Sequence, residues 1–251
     1  MKVEILGVKI DDLTMEEALQ KIEGFLTDGQ QHYIVTPNPE FLVLAQKDKK
    51  FRQILNQADL AVPDGVGLIF ASWFLGRPLK QKIAGTDLME RICQKAVQKK
   101  WPVFLIGGEE EVAEKAGENL KKKYSELQIG TVFRSEDSGT VPLGASSDED
   151  TPDETVPSSL SEGQSLLFVA LGMPKQEKWI NENLKKMPSV KLVMGVGGAF
   201  DFIAGQVPRA PKFLRAISLE WLWRFFYQPW RIKRIFKAVI VFPYLVIRSV
   251  F

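Results

Sequence analysis

Apolar and polar positions change their period along the chain in a regular way. Thr14 and Glu17 form the two halves of a capping box, and the residues after them read as an amphipathic helix to about Leu26. A short β-rich run follows at 32–36. Residues 41–45, 51–55 and 66–75 have helical patterns, and 59–62 is a short strand ending at Pro63. Residues 88–97 predict an amphipathic helix. Residues 103–106 predict a buried strand that runs into Gly107-Gly108 and then a helix over 110–124. Further on come a strand at 166–171, a helix at 176–184 and a strand at 191–195. Strands that alternate with helices predict an α/β fold with a mostly parallel sheet and flanking helices, Rossmann-like in class. In such sheets ligands bind beyond the carboxyl ends of the strands. No internal repeat is visible.

Two segments break the pattern. Residues 135–163 hold eight acids (Glu136, Asp137, Asp148, Glu149, Asp150, Asp153, Glu154, Glu162), no Lys or Arg, and few large apolar side chains. Such a composition cannot offset the entropy of ordering, so a flexible acidic loop is expected. From 205 to 251 the balance reverses, with nine Lys or Arg against the single acid Glu220. There Phe213, Leu214, Ile217, Trp221 and Phe225 recur at helical spacing. Trp223, Phe226, Tyr227 and Trp230 add further rings, and Pro229 breaks the helix. Arg231 and Arg234 lie one turn apart, with Lys237 beyond them. Aromatics and cations together suit the headgroup boundary of a bilayer. A core helix with a solvated basic face is the other reading, but the number of rings favours the membrane. The expected organisation is therefore an α/β catalytic domain over 1–204 and a C-terminal helical membrane-binding appendage over 205–251.

Bulk properties narrow this picture. A chain of 251 residues suits one α/β domain with an appendage. The formal charge of +2 gives no reason to expect nucleic acid as a partner. The single cysteine, Cys93, precludes an internal disulfide and fits a reducing cytoplasm. Residues 1–12 carry early acids and no long apolar run, unlike a signal peptide. No stretch reaches the ~20 apolar residues that span a bilayer. The longest, 238–247, contains Pro243 and lies between Lys237 and Arg248.

Four segments just after predicted strands carry candidate chemistry. In Thr36-Pro37-Asn38-Pro39-Glu40 two prolines fix the backbone, so Thr36 and Asn38 either face a ligand or, for Asn38, cap the next helix. In Pro63-Asp64-Gly65-Val66-Gly67 the carboxylate is either an N-cap or a base on a rigid strand end, placed to deprotonate a hydroxyl. Gly172-Met173-Pro174-Lys175-Gln176-Glu177 is a strand-to-helix turn. Its helix start favours a phosphate, with Lys175 and Gln176 as added contacts. Gly195-Val196-Gly197-Gly198-Ala199-Phe200-Asp201 is a close-approach loop. As a dinucleotide fingerprint it is weak, because Phe200 stands where Gly or Ala is needed. His32 and Cys93 read as packing residues, and no cluster of metal-ligating side chains is visible in the sequence.

Taken in order, these segments resemble the WecG/TagA/CpsF glycosyltransferase family, glycosyltransferase family 26. The resemblance rests on Thr36 to Glu40, Asp64 to Gly67, Ala84-Gly85-Thr86-Asp87-Leu88, Gly172 to Glu177, Gly195 to Asp201 with Gly205, Arg209-Ala210-Pro211, and Leu219-Glu220-Trp221 with Arg224, Pro229 and Arg231. It spans nearly the whole chain. It implies transfer of N-acetylmannosamine or a related hexose from a UDP-sugar to N-acetylglucosamine carried on undecaprenyl diphosphate. The setting it implies is the cytoplasmic face of the cell membrane, in cell-surface polysaccharide synthesis of the teichoic-acid type. It further implies an inverting reaction with no required metal or other cofactor, Asp64 as general base, and Thr36 beside the reacting sugar. The donor would be held by Asn38, Lys82, Gly172, Lys175, Gln176, Gly195, Gly197 and Gly198. The acceptor diphosphate and an anionic membrane surface would be held by Arg224, Arg231 and Arg234. Self-association into a homo-oligomer stays open.

Two features depart from the family pattern. Lys82 stands where an arginine is usual, which keeps the charge but loses the bidentate fork. The acidic bias of 135–163 is also unusual. Two other functions compete. A nucleotide-dependent oxidoreductase needs a fingerprint near the first strand, which is lacking. A non-catalytic membrane module has no need of Asp64 and Thr36 at strand ends.

Overall fold

The computed structural model describes residues 1–108, 111–133, 165–216, 219–229 and 232–250. The acidic segment 135–163 lies outside them. The elements in chain order are β1 Lys2–Ile5, β2 Val8–Asp11, α1 Met15–Phe25, β3 His32–Val35, α2 Pro39–Ala45, α3 Lys49–Gln57, β4 Leu60–Ala61, α4 Val66–Phe74, α5 Gly85–Lys99, β5 Val103–Gly107, α6 Val112–Lys123 and β6 Ile129–Phe133. After the acidic segment follow β7 Ser165–Ala170, α7 Lys175–Asn183, β8 Val190–Gly195, α8 Ala199–Ile203, α9 Lys212–Ala216, α10 Glu220–Tyr227, α11 Ile232–Phe236, a π-helical turn Lys237–Val241 and α12 Phe242–Arg248. Six strands form a parallel sheet in the order β4-β3-β8-β7-β5-β6. The α/β class expected from the alternation is thus the fold observed.

The chain forms two compact units, the first made of residues 1–20, 34–88 and 207–251. It opens with an antiparallel hairpin, β1 with β2, that the sequence pattern does not announce. Val3, Ile5, Val8 and Ile10 are buried on its inner face, while Glu4 and Lys9 face out. The hairpin also supports the neighbouring strand pair, since buried Asp11 accepts a hydrogen bond at 3.0 Å from the Ala61 amide. β3 and β4 pair in parallel, Ile34 opposite Leu60 and Val35 opposite Ala61. α3 packs on β2, α4 on β1, and α2 on α3. The π turn and α12 pack against α2, and α12 also touches α4. Phe242 and Val246 supply the buried side of that contact.

The second unit comprises residues 21–33 and 89–206. β5, β7 and β8 read as nearly unbroken apolar runs because a parallel strand is covered on both faces, and their side chains are buried accordingly. In α5 the face made by Met89, Ile92, Cys93 and Ala96 is buried. Burial pushes the Cys93 thiol up to about 12, so it behaves as an apolar core residue. His32 stacks on Phe25 with ring centroids 4.0 Å apart and bonds Asp28 at 2.8 Å, a packed histidine as the sequence suggests.

The C-terminal helix differs from expectation in one respect. The spacing predicts one helix through 213–227. Instead α9 ends at Ala216 and α10 starts at Glu220, with the Leu219 amide bonded back to the Leu214 carbonyl at 2.8 Å. No helix among the described residues is long and apolar enough to cross a membrane.

The capping box is complete. The Thr14 amide donates to Glu17 Oε2 at 2.7 Å, and the Glu17 amide donates to Thr14 Oγ1 at 3.2 Å. Replacing Thr14 by Ala leaves one of these amides without its partner. A loss of about 1 kcal/mol is expected in urea unfolding, with an unchanged m-value.

Candidate active site

In the first unit the site grows from the ends of β3 and β4. The Val62 amide donates to the Val35 carbonyl at 2.9 Å and the Asp64 amide to the Pro37 carbonyl at 2.9 Å, which extends the parallel ladder past both strands. Pro37 and Pro39 restrict this stretch further, and Asn38 terminates it. Its Oδ1 accepts from the Glu40 and Phe41 amides at 2.9 and 3.1 Å, the N-cap of α2. The cap reading of Asn38 is therefore realised, and its oxygen is used within the fold. Thr36 is buried and Asp64 half-buried.

Gly85, the first residue of α5, closes this corner. Its amide donates to Asp64 Oδ2 at 3.3 Å, so the carboxylate faces the positive end of a 15-residue helix. A Cβ on Gly85 would lie 3.3 Å from Thr36 Oγ1 and 3.6 Å from Asp64 Oδ2. Thr36 Oγ1 and Asp64 Oδ2 thus both border the space beside the first residue of α5. A carboxylate held in this way can take a proton from a hydroxyl brought against it.

Cations gather next to it in the same unit. Arg209 donates to Asp87 Oδ1 at 2.6 Å, and Arg215 approaches the same oxygen at 3.7 Å. Glu220 lies 3.8 Å from Arg209 Nε, and Lys82 Nζ reaches the Arg215 carbonyl at 3.4 Å. Three cations and two acids make up this cluster. Such a cluster suits a phosphate.

In the second unit the turn after β7 and the loop after β8 lock together. Gln176 and Glu177 are almost wholly buried. Gln176 accepts from the Gly197 amide at 3.0 Å through Oε1 and donates to Glu177 Oε1 at 2.6 Å through Nε2. Gly195 has no room for a side chain, since a Cβ would sit 2.7 Å from Gln176 Nε2. Gln176 therefore shapes the Gly195–Gly198 loop from beneath. Lys175 is exposed at the first position of α7, and Gly172 stands at φ +73° before the cis Met173-Pro174 bond.

A family model for the glycosyl transferase WecG/TagA/CpsF family matches residues 3–251. The chain belongs to this family. It is similar to the N-acetylglucosaminyldiphosphoundecaprenol N-acetyl-beta-D-mannosaminyltransferase of Staphylococcus aureus strain MRSA252, with 33% identity over 99% of this chain and 93% of the relative. The proteins of the same name from strains NCTC 8325 / PS 47 and COL are 32% identical over the same shares.

The fold brings forward residues that carry little signal in the sequence. Arg209 stands out there only as part of a motif, and Arg215 and Asp87 have no evident role, yet the fold brings all three together. The C-terminal cations fare differently from one another. Arg234 donates from Nε to both Glu40 oxygens, at 2.9 and 2.8 Å, so it ties α11 to the first turn of α2. Arg231 lies outside the described residues, and Arg224 falls within α10 without a described side chain. Lys233 and Lys237 line an open groove of about 500 Å³ with Lys47, Ile232, Phe236 and Val241.

Glu177 supplies a pH test of the second unit. Burial raises its carboxyl from the ordinary 4.5 to about 7, so the folded chain holds this proton more tightly than the unfolded chain. Its contribution to stability is complete below pH 4.5 and is lost as pH rises through about 7. Urea unfolding across that window should show the parent losing about 1–3 kcal/mol relative to Glu177→Gln, in which a neutral amide replaces the acid.

Proposed function

We propose that this chain transfers N-acetylmannosamine, or a closely related hexose, from a UDP-sugar to N-acetylglucosamine linked through diphosphate to undecaprenol. The observation that carries this reading is the convergence of Thr36 and Asp64 on the start of α5, in a member of a glycosyl transferase family whose relatives bear that name. Asp64 takes the proton of the acceptor hydroxyl as its oxygen bonds to C1 of the donor sugar. The bond from C1 to the diphosphate breaks on the opposite face, its electron pair leaves on UDP, and the configuration at C1 inverts. Thr36 sits beside the reacting centre.

The remaining roles follow from charge and exposed amides. The Gly172–Gln176 turn, with Lys175 at the first position of α7, offers a helix start to the UDP diphosphate, and the glycine-rich Gly195–Gly198 loop allows the nucleotide a close approach. Gln176 acts by holding the loop, and Asn38 acts by holding the turn after β3. Lys82 contributes a positive charge toward diphosphate, now joined by Arg209 and Arg215. Arg224 and Arg231 bind the acceptor diphosphate, while Arg234 fixes the helix that follows them. The enzyme works as a peripheral protein on the inner face of the membrane, where its C-terminal cations meet anionic lipid. No observation favours an oxidoreductase or a non-catalytic module.

The test is a panel of UDP-sugars offered with a diphosphate-lipid acceptor in detergent. UDP release coupled to a disaccharide-lipid is expected with UDP-N-acetylmannosamine, and the product's anomeric configuration by NMR should be inverted. Arg224→Glu with Arg231→Glu should cut transfer to this acceptor by at least tenfold while leaving UDP binding near normal. A retained anomeric configuration, or no transfer from any UDP-hexose, would refute the reading.

A further inference from the structure

α4 has an outer face that nothing in the proposed reaction uses. Leu68, Ala71 and Ser72 turn inward, whereas Phe70, Trp73 and Phe74 are 60%, 61% and 51% exposed. These three stand at i, i+3 and i+4, on one stripe of the helix, and the Phe70 and Trp73 rings meet edge to face. Exposed Arg77 follows just beyond the end of the helix, after a turn at Leu75-Gly76. Exposing three large aromatics on so short a helix loses hydrophobic stabilisation that burial would supply, so a contiguous patch of this kind marks a contact surface.

The surroundings decide what kind of contact. α4 packs on α12 within the first unit, and a Cβ at Gly67 would lie 3.6 Å from the Phe242 ring. α12 and the helical turns before it carry their own outward apolar stripe of Ile232, Phe236, Val239, Ile240, Tyr244 and Ile247. Within the two segments that carry these stripes cations predominate, although Lys80 pairs with Glu17 and Arg234 with Glu40. Residues 66–80 contain no acid, and Glu220, the single acid of 205–251, lies against Arg209. Lys233, Lys237 and Arg248 are exposed. Two copies of such a face would bring cations against cations, whereas an anionic bilayer complements it. Rings with flanking cations are the side chains that partition to the headgroup boundary.

We infer that the outer face of α4 is a second membrane-docking element, with Phe70, Trp73 and Phe74 entering the headgroup–acyl boundary of an anionic bilayer beside the C-terminal helices. This rests on the peripheral-membrane reading above and extends it to a part of the chain about 140 residues before the basic segment.

The full chain is tested with vesicles of phosphatidylcholine alone and mixed with phosphatidylglycerol. A polarity-sensitive fluorophore is placed on Trp73→Cys, with buried Cys93 shielded from the label. The expected result is a blue shift on adding phosphatidylglycerol vesicles, weaker in high salt. In co-sedimentation, Phe70→Ser with Trp73→Ser and Phe74→Ser should bind these vesicles roughly tenfold or more weakly, with UDP binding and circular dichroism unchanged. If the parent binds vesicles, yet the probe stays silent and the triple variant binds like the parent, α4 is not a docking element although the C-terminal reading stands. If the parent binds no vesicles, both fall together. A probe shift without lipid, accompanied by a doubled mass in solution, would assign the face to a second copy and overturn the inference.

Discussion

The position of the Asp64 carboxylate depends on one piece of backbone geometry, the continuation of the β3–β4 ladder beyond the strands. Two strands of four and two residues are short, and β4 would be marginal alone. Three features hold it. The Asp11 carboxylate accepts the Ala61 amide, the Val62 and Asp64 amides bond across to β3 and its turn, and the Ile83 amide returns to the Pro63 carbonyl at 2.8 Å. Proline at 37, 39 and 63 removes backbone freedom at each edge of the corner. The result is a carboxylate on a fixed mount with the start of α5 against it. A base must be placed to within a fraction of an ångström to act on a bound hydroxyl, and rigid strand ends provide that placement better than a mobile loop.

A different solution operates in the second unit. There a side-chain amide, Gln176, adds its hold on the Gly197 amide to the ladder bond from the Val196 amide to the Val169 carbonyl at 2.8 Å. The arrangement leaves Glu177 nine-tenths buried or more, and its Oε2 finds no hydrogen-bond partner among the described residues. An ionised carboxylate in that place would be costly, which is why burial raises it toward neutrality. The loop that is proposed to meet the donor diphosphate therefore rests beside a carboxyl whose ionisation is disfavoured by burial.

Local signals are legible in the sequence and long-range ones are not. The Thr14/Glu17 capping box spans three residues and carries its own chemistry, so it can be read directly. The β7 and β8 runs are legible because buried parallel strands are apolar throughout. The first hairpin escapes notice although Val3, Ile5, Val8 and Ile10 alternate. Its turn is Leu6-Gly7, with Leu6 at φ +50°, and leucine is not a turn signal. The Arg209–Asp87 and Arg234–Glu40 pairs join residues 122 and 194 positions apart, which no local pattern encodes. The α4 aromatics are hidden for another reason. Residues 66–75 are apolar nearly all round, so periodicity cannot tell the inward face from the outward one. Family resemblance implies the roles proposed for Asp64 and Thr36, and the residues alone leave Asp64 open between cap and catalysis.

The central claim, that the Asp64 carboxylate is the base, is tested most directly by single-turnover transfer with Asp64→Asn. Donor and lipid acceptor are held at saturation, so that binding and product release do not mask the chemical step. The variant keeps size and hydrogen-bonding capacity at the start of α5 but cannot accept the proton. The account predicts a rate lower by ~10²-fold or more with UDP affinity and unfolding midpoint close to the parent. A single-turnover rate within a few fold of the parent would contradict it and place the base elsewhere.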